Sequence, residues 1–351
     1  MKQLKKLITI CLLLSAGNLM AQTLSEFKPK ETKYGVNKAK GAKRIYIASF
    51  SVNYQIYNEK EDFKQGGSML GGGYKGDAKA QLSIGLTGLT EQHVQQVTDK
   101  LYADYMAQLK TKGFEIITAD EAGKKETYTD YTKVNGGKVS LAQYPGMMAT
   151  APTGFEWLVK KIDKSGKTKS GGLLGNPAFL YPKLSKDLGD AIIADVNLFV
   201  MFVQDQNAFQ GAGANIKVKT NLRLAGPEAI IMTKDAKFKM KGQNDIIPIS
   251  STLGFYHGKM GMGSTTSYVG SLAKPLFIEN VILDTKVQSF AKNAADVTGT
   301  SMGMYTMFNP GDKESKSSKV IEVDGNKYAD GVYEAAKKFV VHHTQEFFNG
   351  L

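Results

Sequence analysis

The feature that most narrows the folds open to this chain is a strand, a helix, a glycine stop and a second strand, laid end to end in its first third. Arg44-Ile45-Tyr46-Ile47-Ala48-Ser49-Phe50-Ser51-Val52 is a β-rich run that reads as a buried strand. Beyond a Gly-rich stretch, Thr90 is a good helix N-cap. Val94, Val97, Leu101, Tyr105 and Leu109 then recur at three- and four-residue steps, the spacing of one apolar helix face. Gln95 lies off that stripe. Gly113 stands where a left-handed residue ends such a helix, and Phe114-Glu115-Ile116-Ile117 reads as a second short strand. This order is the grammar of a βαβ unit and hence of a partly parallel sheet.

The remainder is consistent with that class. Residues 155–162 read as a helix carrying Trp157, and residues 179–188 as another, weakened by Pro182. The continuous apolar run Leu198-Phe199-Val200-Met201-Phe202-Val203 predicts a central strand. Residues 216–224 alternate and predict a half-exposed strand, followed after Gly226-Pro227 by Ala229-Ile230-Ile231-Met232. Near the end, residues 320–323 read as a strand. A closing helix over about 327–348 carries Tyr328, Val332, Ala335, Phe339 and Phe347 on its buried side. The expected fold class is α/β in the α+β sense. It has a mixed β-sheet with flanking helices, a βαβ opening unit and a C-terminal amphipathic helix. Residues 43–351 form one such domain, with Gly-rich insertions at 64–88 and 250–310, and the aperiodic, Lys-rich residues 22–42 form a flexible arm.

The first 21 residues predict an export signal. Lys2, Lys5 and Lys6 precede a ten-residue apolar stretch over 7–16, and Leu19-Met20-Ala21 ends in a small residue suited to cleavage before Gln22. The apolar stretch is shorter than the ~20 residues of a spanning helix. Cys11, the one cysteine, lies inside that stretch with Ile10 before it, so it is no lipid-anchor site, and the mature chain has no thiol for disulfides or metal. The expected location is the periplasm or the outer membrane surface, without a lipid anchor. Removing the three leader lysines from the formal +12 leaves +9. Almost all the basic residues are lysines, Arg44 and Arg223 excepted, so arginine forks for nucleic acid are lacking. Lysine-rich surfaces suit solubility and peripheral contact with anionic membrane.

The motif order resembles the fold shared by the curli-secretion lipoprotein CsgG and the N-terminal domain of the translocation protein TolB. The resemblance is carried by Arg44 to Phe50, by Leu109-Lys110-Thr111-Lys112-Gly113-Phe114 leading into Glu115-Ile116-Ile117, and by Leu188-Gly189-Asp190-Ala191-Ile192-Ile193 before the central strand. It covers about half the mature chain and implies a fold and an envelope location. The lipid-anchor cysteine of the secretion lipoprotein and its membrane hairpins have no counterpart, so a secretion pore is not implied.

No sequence motif makes a convincing catalytic site. Gly299-Thr300-Ser301-Met302-Gly303 is a literal G-x-S-x-G, with Asp324 and His342 or His343 following in hydrolase order. It lacks the strand before and the helix after that aim such a serine, and the histidines fall on the closing helix. A serine hydrolase is the alternative reading. Gly166-Lys167-Thr168 has Lys161 where a phosphate loop needs its first glycine. Adjacent His342 and His343 point about 100° apart on a helix, so no metal site is expected, and no cofactor is expected. The leading expectation is a non-catalytic domain that binds a protein or envelope partner. Its candidate contact residues are Met69, Leu70 and Tyr74 in one Gly-rich loop and Phe255, Tyr256, Met260 and Met262 in another.

Overall fold

The computed structural model describes residues 23–68, 74–169, 176–206, 213–233, 244–292, 300–302, 305–307 and 313–351. Residues 1–21, expected to form an export signal, lie outside these residues, as do Met69 and Leu70. The protein is a mixed α+β structure built on a ten-stranded sheet. In chain order its strands are β1 (Pro29–Tyr34), β2 (Arg44–Gln55), β3 (Glu115–Ile117), β4 (Met147–Thr150) and β5 (Ile192–Asp205). They continue with β6 (Gly213–Leu224), β7 (Thr252–His257), β8 (Thr266–Leu272), β9 (Leu276–Ile278) and β10 (Thr285–Lys292).

β5 is the axis. One edge pairs in parallel with β2, and the other pairs antiparallel with β7 along its first part and β6 along its last. From there the sheet forks, one arm running β7-β8-β1 and the other carrying β9 and β10 on β6. β2 is flanked by β3 in parallel, Ile45 opposite Ile116, and by β4 antiparallel. The apolar run in β5 is therefore central because strands cover both its edges.

Among the described residues, three helices of more than two turns accompany the sheet: α1 (Glu91–Thr111), α2 (Pro177–Asp187) and α3 (Gly325–Asn349). Thr90 caps α1 as its sequence indicates. Its hydroxyl accepts from the His93 N–H, while His93 Nδ1 accepts from the Thr90 N–H at 3.2 Å. Gly113 follows with φ +81°, a left-handed value that an L side chain adopts only under strain. α1 and α3 lie together on one face of the sheet, where Phe255 stacks on Phe347 with centroids 4.1 Å apart and Phe50 meets Tyr102 and Tyr105. The core under them takes Ile45, Ile47, Phe50 and Val52 from β2 and every second residue of β5 from Ile192 to Phe202.

Several expectations need correction. The opening is not a plain βαβ unit. Between β2 and α1 the chain builds strands Tyr57–Lys64 and Ala78–Thr87, which form a three-stranded sheet with Lys313–Glu322. The insertion at 64–88 thus contains a ten-residue strand that buries Ala78, Ala80, Leu82 and Ile84, small and branched residues alternating as in any half-buried strand. The Lys-rich arm is no free arm over 29–34, because β1 pairs with β8 along its length. Likewise the stretch 250–310 supplies β7, β8, β9 and β10 to the main sheet. Trp157 stands on a strand, Glu156–Val159, paired with Thr132–Asn135, where a helix was expected. The aromatic and β-branched residues there favour the pleated form. α2 forms where expected despite Pro182, helped by Asn176, whose side chain accepts from the Ala178 N–H, and by Pro177 in the first turn.

Candidate functional site

The second face of the sheet is built differently. Along β5, Ile193 belongs to an apolar patch with Tyr46, Ala48, Tyr181, Leu184 and Leu188. Farther on, Phe199 and Met201 belong to another with Met147, Ile230 and Ile249. Between the patches the same face of β5 carries Asp195 and Asn197. A register shift in β2 opposite Ala194 and Asp195 brings Ser49 beside Asp195 and Ser51 beside Asn197. The result is a polar floor between two apolar patches.

Over that floor lies a cavity of about 650 Å³, within the usual range for a small-molecule site. Its walls include Tyr128, Tyr131, Tyr144, Trp157, Tyr181 and Tyr256. Tyr181 and Tyr256 have centroids 5.1 Å apart, as do Tyr128 and Tyr131 at 4.9 Å, and Trp157 stacks on Phe155. The floor is locked. Asn197 Oδ1 accepts from Ser51 Oγ at 2.8 Å and from Asn53 Nδ2 at 2.9 Å. Beside them, the nearby Tyr181 hydroxyl and Gly254 N–H favour the ionised form of the Asp195 carboxyl. Gly254 has no alternative there, since a Cβ would stand 2.3 Å from Asp195 Oδ1.

Burial dominates the electrostatics. It pushes the Asp195 carboxyl up to about 6, against the Tyr181 hydroxyl and Gly254 N–H that pull it down. Burial also raises the Tyr128, Tyr181 and Tyr256 hydroxyls, so these phenols stay neutral. Among the described lining residues Asp195 is the sole carboxyl, and no histidine joins it. Lys138 and Lys169 also line the cavity, the latter paired with Asp163 at 3.2 Å.

The residues singled out in the sequence scatter. Ser301 lies on the short strand Thr300–Met302, paired with Tyr305–Met307. Asp324 is the N-cap of α3, its carboxylate accepting from the Asn326 and Lys327 N–H groups. His342 and His343 are 18 and 19 residues along that same helix, about 27 Å away at 1.5 Å per residue, so the acid and base of the hydrolase reading cannot meet. Of the contact residues, Phe255 is buried under α3, and Tyr256 reaches the cavity. Met260 and Met262 are exposed on a turn beyond β7, and Tyr74 lies on the short strand Tyr74–Lys75.

His342 and His343 come closer to a shared ligand than expected. Their ring centroids are 5.0 Å apart, and with Glu31 they bring three ligand atoms within 4.8 Å of one another. These atoms are already engaged. His343 Nδ1 faces the Tyr268 hydroxyl at 2.8 Å, and its Nε2–H donates to the Ser271 carbonyl at 3.0 Å. His342 meets Glu31 at 3.1 Å, and the Lys33 ammonium bridges Glu31 and Glu346. A metal would have to displace a cation the chain supplies itself. Both arginines are also spent internally, Arg44 on Glu115 and Glu121, and Arg223 on Glu228.

The sequence signal for the cavity was available. Ser49, Ser51 and Asn53 alternate with Phe50, Val52 and Tyr54, and Asp195 and Asn197 alternate with Val196 and Leu198. Alternation of this kind ordinarily marks a solvent-facing side, and nothing in it announces a roof. Among the described residues no helix is long and apolar enough to cross a membrane. No family model, no curated protein and no solved structure matches this chain.

Proposed function

We propose that this chain is an exported, non-catalytic binding domain of the bacterial cell envelope, and that an envelope component binds in the cavity over β2 and β5. The observation that carries the reading is the combination of a hydrogen-bonded polar floor with an aromatic wall in one cavity. Aromatic walls supply contact area at low conformational cost, and a few fixed polar groups supply orientation. A described lining with one carboxyl and no partner acid or histidine favours binding over bond cleavage. Export is supported by the charged and apolar segments of residues 1–21. The likeness to the CsgG and TolB N-terminal fold is supported by β2 and β3 lying parallel with α1 between them in the chain, and by α3 closing the same face.

Trp157, the only tryptophan, lines the cavity and reports its occupancy. Its emission is to be followed while sugars, amino acids, amines and nucleosides are added at millimolar concentration. A saturable change that Asn197→Leu abolishes, with cooperative unfolding retained, supports the proposal. No response to any of them, together with fluorophosphonate labelling lost in Ser301→Ala, replaces it with the hydrolase reading. Export is tested separately by the intact mass of periplasmic material, expected to begin at Gln22.

A further inference from the structure

The cavity holds a carboxyl with no cation to match it. Elsewhere this Lys-rich chain pairs its carboxylates closely: Glu31 with Lys33, Asp104 with Lys337, Asp120 with Lys133, and Glu228 with Arg223. Asp195 is half-buried, yet among the described residues no lysine, arginine or histidine nitrogen lies within 4.0 Å of it. The groups that favour its charged form are neutral, the Tyr181 hydroxyl and the Gly254 N–H. A half-buried carboxylate with only neutral groups around it retains attraction for a positive group that can reach it.

The surroundings favour one kind of cation. Tyr181 and Tyr256 form a tilted pair beside Asp195, and Tyr128 and Tyr131 form a second. Aromatic faces attract cations through the ring quadrupole, most strongly where water is excluded, and cages of such rings are a known means of holding substituted ammonium groups. A bare metal ion needs several oxygen ligands, and the described lining offers one carboxylate. A substituted ammonium needs the rings.

On the reading that this cavity is the ligand site, we propose that it receives an organic cation, with a substituted ammonium group seated against Asp195 inside the tyrosine wall. The groups facing Asp195 are Ser49 from β2, Tyr181 from α2, and Gly254 and Tyr256 from β7. Tyr105 of α1 feels its charge through the sheet, and Lys138 and Lys169 are the charged members of the lining. The tyrosines stay neutral, so between pH 5 and 8 the carboxyl is the group whose charge changes in the described lining. Affinity for the cation rises with pH through about 6 and levels off above 7.

The test uses choline and its neutral isostere 3,3-dimethylbutan-1-ol, titrated at pH 7.5 and 5.0 by calorimetry and by Trp157 emission. Choline is expected to bind at least about tenfold more tightly than the alcohol at pH 7.5, a gap that narrows at pH 5.0. Asp195→Asn keeps the shape and is expected to weaken choline by about tenfold or more while leaving the alcohol unchanged. Far-UV circular dichroism and thermal unfolding verify that this variant folds. Equal binding of the two probes, or unchanged choline binding in Asp195→Asn, overturns the inference. If neither probe binds but a neutral sugar moves Trp157, the cation assignment falls and the binding pocket stands. If nothing in the wider panel binds, both fall.

Discussion

The two faces of the ten-stranded sheet are made by the same strands and have opposite characters. Under α1 and α3, β2 and β5 present Ile45, Ile47, Phe50, Val52 and the even-numbered residues 192–202, all buried in one continuous core. On the other face the same strands present Ser49, Ser51, Asn53, Asp195 and Asn197 to a cavity, with apolar packing confined to either end. A fold that needed only stability would fill both sides with side chains. Leaving one side open, with its polar groups locked to each other, is the arrangement of a site, where strain and unsatisfied burial concentrate.

The largest difference between the faces is expected in stability. Leu101 is buried on α1 against the core, and Leu101→Ala should cost about 2–5 kcal/mol in urea unfolding. Ser51→Ala, on the cavity floor, removes one of two donors to Asn197 and should cost about 1 kcal/mol. Equal costs would mean that the cavity floor is as tightly integrated as the core, and the contrast between the faces would collapse.

The next effect is one of sign. Asp195 on the cavity face has its folded pKa raised to about 6 from an ordinary 3.8. Its ionisation therefore opposes folding, fully above pH 6 and not at all below about 4. His343 on the buried side of α3 has its folded pKa pushed down to about 4 from 6.5, by burial first and His342 second. Its protonation opposes folding, not at all above pH 6.5 and fully below about 4. Asp195→Asn should thus raise stability at pH 7.5 by about 2–3 kcal/mol, with the gain fading as pH falls to 4. The same variant should lose more stability on acidification than the natural chain, because the opposing change at His343 remains. A variant with a pH-independent gain would show that Asp195 is not perturbed as its surroundings imply.

A smaller effect tests the outer side of α1. Gln95 lies off the apolar stripe, and the sequence alone makes its replacement nearly neutral. Yet its Nε2 donates to Asp99 Oδ1 at 2.8 Å and to the Ala151 carbonyl at 3.0 Å, tying the helix to the loop after β4. Gln95→Ala should cost about 1 kcal/mol, against less than about 0.5 for the exposed neighbour Gln96→Ala.

What could be read in advance follows from the range of the interactions. The period of α1, its Thr90 cap, its Gly113 stop and the apolar run of β5 are local, and each stands where the sequence indicates. β1 could not be read that way: Lys30, Glu31, Thr32 and Lys33 have no strand pattern, and they are strand because β8 offers them an edge. Trp157 was misassigned because a four-residue segment whose apolar residues are Trp157, Leu158 and Val159 fits either period. The cavity needs α2, the strand Glu156–Val159 and β7 to meet over β2, contacts spanning some 200 residues that no local pattern records. The Gly-Thr-Ser-Met-Gly motif failed for the converse reason, since one helix carries its proposed acid and base at opposite regions.

The smallest expected effect concerns the exposed methionines, and it decides what kind of contact this protein makes. Met260 and Met262 are 52% and 70% exposed on a turn closed by reciprocal backbone hydrogen bonds between Met260 and Gly263. Neither lines the cavity. Because the turn is held by its backbone, Met260→Ser and Met262→Ser should change stability by less than about 0.5 kcal/mol. They should also leave the Trp157 titration with choline unchanged. A shift in that titration would mean that the turn communicates with the cavity through β7, whose Tyr256 is both a cavity wall and four residues from Met260. Stability and binding that both stay constant would separate the surface turn from the pocket, leaving Asp195 and its tyrosines as the place where recognition is decided.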